Sequence, residues 1–320
     1  MKKIIAMMLL VFMLMSLTAC GTAAQSDDGT YVIGICQIMV HNSLDDATQG
    51  FKDAVVAGLG EDHVVFNHRD AGGEFTNCGT IMDGFVAEGV DLILADATAP
   101  LQAAQSATSE IPVLGNAVTD YATALNIADY HGTVGGNISG TTDLAPMDQQ
   151  ASIIQEMFPD AKNVGMLYCS AEVNSVYQIQ VVKNYLTDMG YTCTEYAFAD
   201  VNEMFVVLEN ACDNSDVLYV PTDNTCAANP EIIANVAMPA GVPVVTSDAA
   251  TCAVAGVATM AISYYDLGYA TGEMAVKILK GEADISEMPI QVAGEAVKQY
   301  NPVNCEKLGI PVPAGYTPVE

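Results

Sequence analysis

A carboxylate and an amide, Asp223 and Asn224, stand side by side in the stretch VPTDNT (Val220 to Thr225), directly after the apolar run that a buried strand requires. The arrangement recurs. Gln37, Thr98, Thr119 with Asp120, Ser170 with Glu172, and Ser247 with Asp248 follow short apolar runs in the same way. Such side chains offer hydrogen-bond donors and acceptors, and the chemistry they suit is reversible capture of a small solute. Taken singly, each reads equally well as a helix cap or turn residue, because Ser, Thr, Asp and Asn favour those places. Their recurrence at so many strand ends carries the binding reading.

Catalysis leaves no comparable trace. The chain contains no GxSxG, HExxH, GxxxxGK[ST] or GxGxxG pattern, so neither an enzyme nor a cofactor is expected. His41, His63, His68 and His131 are scattered, and none pairs with a cysteine at ligand spacing, so no metal is expected either. Ten basic residues face 39 acidic ones, a formal charge of −29, and such a field repels phosphate backbones. Nucleic acid is excluded as a partner on that ground. Arg69 is the single arginine and no lysine falls in the strand-end motifs, so the chain lacks a bidentate clamp for an anionic ligand. Zwitterions and cations remain.

The elements that must position these groups alternate in type. YVIGICQIMV, HVVFNH, DLILADAT, IPVLGNAVT, VGMLYCS, CTEYAFA, VLYVPTD, VPVVTSD and VATMAIS read as strands. Between them LDDATQGFKDAVVAGLG, PLQAAQSATS, SVYQIQVVKNYLTDMG and YYDLGYATGEMAVKILKG carry apolar residues at three- and four-residue steps, the period of a helix. Strand and helix alternating over 320 residues predict an α/β protein with parallel sheets covered on both faces, in two units. Ligands of such sheets bind outside the carboxyl ends of the strands, where the polar residues fall.

The first residues read as an export signal. Lys2 and Lys3 precede IIAMMLLVFMLMSL, which is short for a membrane span and suits the apolar core of a secretory signal. It ends in LTACG, which resembles a lipoprotein cleavage site, so residues 1–19 are expected to be a signal peptide, Cys20 the lipidated residue, and 20–29 a polar tether. The protein is then anchored outside the membrane through lipid. The eight remaining cysteines form no CxxC, and Cys36, Cys169 and Cys193 sit in apolar runs, so free thiols are favoured over disulfides.

The runs IGICQIMVHNSLDDATQGFKD, DLILADATAPLQAA, GGNISGTTDL, VGMLYCSAEVNSVYQ, YVPTDNT, PVVTSD and YYDLGYATGEMAVKILKG, in this order from Tyr31 to Pro313, resemble the substrate-binding lipoproteins of ABC importers, specifically the TrpX-like tryptophan/tyrosine-binding group. The resemblance implies a type I periplasmic-binding-protein fold with two Rossmann-like lobes, residues 30–145 plus 250–283 and 146–249 plus 284–320. It implies crossings near 143–146, 248–250 and 281–285, a monomer, and permease and ATPase subunits as partners. It also implies an amino acid between the lobes, with Asp223 or Asp248 on its ammonium, and Thr98 and Ser175 on its carboxylate. Asn174 and Asn224 would serve either group, and Tyr177, Tyr264 and Tyr265 are candidates to stack on a ring. A sugar, nucleoside or signalling molecule is the alternative cargo. A sugar-sensing repressor of the same fold would need a basic helix-turn-helix where the signal sequence stands.

Overall fold

The computed structural model describes residues 29–292 and 294–319. The signal peptide, Cys20 and all but the last residue of the tether lie outside them.

The first half builds one parallel sheet from β1 (Tyr31–Gln37), β2 (Val64–Asp70), β3 (Leu92–Asp96), β4 (Val113–Asn116) and β5 (Ile138–Thr142). Its helices are α1 (Asn42–Leu59), α2 (Phe75–Glu88), α3 (Thr98–Ala107) and α4 (Tyr121–Leu125). The second half repeats the rhythm with α5 (Met147–Met157), β6 (Asn163–Cys169), α6 (Val173–Asp188), β7 (Thr192–Phe198), α7 (Val201–Asn214), β8 (Val217–Val220), α8 (Asn224–Ala228), α9 (Pro230–Ala240), β9 (Val244–Thr246), α10 (Ala249–Val254) and β10 (Ala258–Ala261). The chain then adds α11 (Tyr264–Leu279), β11 (Gln291–Val292), β12 (Val297–Tyr300), α12 (Pro302–Leu308) and β13 (Thr317–Pro318).

Strand order is β2-β1-β3-β4-β5-β11 in one sheet and β7-β6-β8-β9-β10-β12-β13 in the other. Both halves thus use one doubly wound order, with β12 antiparallel to β10 and the other pairings parallel. Two α/β lobes are therefore present, each with its own wall of fully buried Ile, Leu and Val: β3 is buried along its whole length, and so is β8.

The chain passes between the sheets three times, and two passages differ from expectation. The first lies between β5 and α5, at residues 143–146. The second does not fall at 248–250, because β10 pairs with β9 and β12 in the second sheet; the return comes at 262–263, just before α11 packs along α1. The third follows β11, which pairs with β5, and so lies beyond 292 instead of at 281–285. Residues 250–261 therefore belong to the second lobe and 284–292 to the first. A crossing has no local signature, because nothing in a residue's own propensity tells which sheet its strand will join.

The eight cysteines of the described residues are free thiols, and all except Cys193 are buried as small apolar groups.

Candidate ligand-binding site

The carboxyl ends of the strands in the two sheets face each other across a cavity. The first lobe contributes His41, Ser43 and Leu44 from the start of α1, with Thr98, Ala117 and Thr119 from the ends of β3 and β4. Opposite them stand Asn174, Thr222, Asp223, Asn224, Ala227 and Asp248, and Asp143 and Tyr264 stand at the first and second of the three crossings. An outer chamber shares Thr98, Asn174 and Asn224 with the cavity, and Ile38, Met39, Phe75 and Val173 add apolar walls to it. Neither space is lined by a lysine or arginine. Arg69 is spent elsewhere, paired with Glu88 and stacked on Phe85.

Six of the ten residues singled out in the sequence meet in the inner cavity: Thr98, Thr119, Asn174, Asp223, Asn224 and Asp248. The other four stand behind it or away from it, Glu172 on the wall of the outer chamber. Gln37 donates to Asp45 and Met39 O and accepts from Thr48, so its amide is consumed inside the first lobe. Asp120 caps α4 through the Thr123 N–H. Ser175 is fully buried, within reach of Asn174 Nδ2 and the Asp223 carboxylate. Glu172 accepts from the backbone N–H groups of Asn224 and Thr225 and from both their side chains, a carboxylate clasping the first turn of α8.

Asp223 is both cavity wall and scaffold. One oxygen accepts the Cys226 N–H at 2.9 Å and caps α8, and the other accepts the Cys169 N–H at 2.7 Å from the end of β6. Burial, and then the charge of Glu172, push its carboxyl up to about 7 against those two hydrogen bonds. Asp248 caps α10 through the Thr251 N–H at 2.8 Å.

Among the described residues, side chains of the two lobes meet directly across the cleft, Tyr264 and Thr222 among them. Ser43 Oγ donates to Asp248 Oδ1 at 3.3 Å, and His41 Nε2 meets Asn224 Oδ1 at 3.3 Å. Because Asn224 Nδ2 faces Glu172 at 2.6 Å, its Oδ1 must accept, so His41 Nε2 carries the proton. The lobes are therefore closed on each other. Two alanines beside the cavity hold left-handed backbone, Ala97 at φ 95° and Ala117 at φ 52°, and strain of this kind persists only where the surroundings enforce it.

Sequence reading missed several lining residues. Asp143 follows β5, whose ISGTT is too small and polar to stand out as a strand, and there Gly140 holds φ 145° and leaves room for Gly115 O, which a Cβ would approach to 2.0 Å. His41 and Ser43 lie four and six residues past the end of β1, beyond the reach of a strand-end rule.

Residues 32–315 match the ABC transporter substrate binding protein family. The chain belongs to that family. A curated relative, the tyrosine-binding protein of Clostridioides difficile strain R20291, is 32% identical over 82% of this chain and 76% of its own length. Among solved structures, the ABC domain in complex with L-Trp from Streptococcus pneumonia superposes with a TM-score of 0.85 at 31% identity, covering 90% of this chain and 99% of that one. A ligand-free, open substrate-binding protein with adhesive properties from Clostridium difficile is also 31% identical, over 91% of this chain and 99% of that one, yet reaches only 0.69. This structure superposes better on the complex with L-Trp than on the ligand-free, open protein. Proteins of this family work as substrate receptors outside the cytoplasm, and among the described residues no helix is long and apolar enough to cross a membrane.

Proposed function

We propose that this protein captures an amino acid, with aromatic side chains preferred, between its two lobes and passes it to the permease and ATPase subunits of an importer. The observation that carries the reading is a cavity between the lobes walled by Asp143, Asp223 and Asp248, with hydroxyls from Ser43, Thr98 and Thr119 and without a fixed cation. Such a wall repels anions and suits an ammonium group, while hydroxyls and exposed N–H groups serve a carboxylate. Leu44, Ala117, Ala227 and Tyr264 supply apolar surface for a side chain, and the two ligand-named relatives take tyrosine and tryptophan. The mature chain works as a monomer, held to the cell surface by lipid on Cys20.

Calorimetry of the purified protein against L-tyrosine, L-tryptophan, the other amino acids, sugars and nucleosides tests the cargo. Binding of tyrosine or tryptophan in preference to the rest is expected, and a sugar or nucleoside as the sole ligand would overturn it. Labelled palmitate entering the wild type but not Cys20→Ala tests the anchor.

A further inference from the structure

Two buried polar atoms on residues that line the cavity have no hydrogen-bond partner, Asp143 Oδ1 and His41 Nδ1. Leaving such atoms unmade is costly, and an orphan in a binding cavity points to the group that completes it. Both orphans want the same thing. His41 gives its proton to Asn224 through Nε2, and burial favours the neutral ring, so Nδ1 is a bare acceptor. A carboxylate oxygen is an acceptor outright. The missing partner is therefore a donor, and a ligand carboxylate cannot supply it.

Asp143 is only 4% exposed, and its other oxygen is fixed by the Tyr264 hydroxyl at 2.9 Å. Burial first, and then the Asp248 charge from across the cleft, raise the Asp143 carboxyl above its ordinary range against the Tyr264 and Thr119 hydroxyls, so a cation beside it restores the charged form. Oδ1 is thus pre-aimed, on a side chain whose second oxygen is already occupied. Asp223 is placed differently, since backbone N–H groups take both of its oxygens, and Asp248 spends Oδ1 on Thr251 and Ser43.

We propose that Asp143, at the first crossing between the lobes, is the residue that receives the ligand's ammonium group. The inference rests on the amine-bearing cargo proposed above. An ammonium at Asp143 sits where the first and second crossing segments meet, because Asp143 directly follows β5 and Tyr264 begins α11. Occupying that point ties ligand binding to the strands about which the lobes turn.

The test pairs each amino acid with its deaminated analogue: L-tyrosine with 3-(4-hydroxyphenyl)propionate, and L-tryptophan with indole-3-propionate, measured by calorimetry on wild type and Asp143→Asn. Wild type should prefer the amine of each pair strongly. Asp143→Asn should lower affinity for the amine about thirtyfold or more and leave the analogue nearly unchanged, since truncating one partner of a buried charge pair has that scale of effect. Its apo melting temperature should not fall, because Asn keeps the Tyr264 contact and removes an unpartnered charge. Tyr264→Phe, which frees the carboxylate without deleting it, should shrink the amine preference by a smaller factor and serves if the first variant folds poorly. A wild type indifferent to the amine, or an Asp143→Asn protein that keeps the full preference, would overturn the assignment. If neither aromatic pair binds but another amine does, such as a basic amino acid, the same pairing on that ligand tests Asp143 while the aromatic cargo falls alone. If no amine binds, both readings fall.

Discussion

At the scale of single residues, Asp223 shows how one side chain can be read correctly and still incompletely. Its place after β8 marks it equally as helix cap and as ligand contact, and a simple cap would accept Asn without loss. The structure gives it a second backbone partner, the Cys169 N–H, so Asn would turn an amide NH₂ against one of two buried N–H groups. Asp223→Asn should therefore destabilise the protein by about 1–3 kcal/mol at acid pH, the usual cost of a buried donor left unmatched. The cost should shrink as pH rises. With the carboxyl raised to about 7 in the fold against 3.8 ordinarily, the folded chain holds this proton more tightly, so wild-type stability falls as pH rises from about 4 to about 7 and levels off above that. Asn has no proton to lose and escapes that slope. Urea unfolding of both proteins across this range checks the prediction; a stability gap that stays constant with pH would show that Asp223 is not the buried acid described here.

At the scale of elements, the helix pair α1 and α11 places much of the cavity wall. Their amino ends carry His41, Ser43 and Leu44 on one and Tyr264 on the other. Glycines set their spacing. A Cβ on Gly268 would lie 1.8 Å from Ala47 O, and one on Gly50 would lie 2.1 Å from Tyr265 O, so the backbones touch without side chains between them. Gly268→Ala must push the helices apart, at a cost of about 1–3 kcal/mol or more for overpacking, and it moves Tyr264 one turn away. A lower melting temperature together with weaker ligand binding is expected, and an unchanged melting temperature would mean that the helices can slide apart freely. The sequence made α1 and α11 plain through their three- and four-residue apolar steps, and it marked β1 to β4 and β6 to β10 as apolar runs. It left β5 unread, because ISGTT pairs closely through glycine instead of through bulk, and with β5 went Asp143. It also left the second and third crossings unread, since the partner strands of β10 and β11 are chosen by packing at a distance.

At the scale of the whole molecule, the question is what holds the lobes shut. Among the described residues the bonds that cross the cleft include Ser43 to Asp248 and His41 to Asn224, each long at 3.3 Å, beside a Tyr264 to Thr222 contact, in a cavity lined by acidic side chains. The Asp143 and Asp248 carboxylates repel each other across the cleft, which favours separation, and a cationic group between them reverses that preference. Ligand should then supply most of the closing free energy, with the latches adding a share of about 0.5–1.5 kcal/mol each, the net worth of an ordinary hydrogen bond. Ser43→Ala removes one latch and leaves the Asp248 cap of α10 in place through Thr251. Its apo melting temperature should match wild type, because the open protein does not make the contact. Its ligand should dissociate about two- to tenfold faster with little change in association rate, since the latch forms only after the lobes have met. Stopped-flow fluorescence with the bound amino acid measures both rates. An unchanged dissociation rate with a lowered apo melting temperature would mean that Ser43 and Asp248 are joined in the open protein as well, and that the lobes are held together by the fold and not by the cargo.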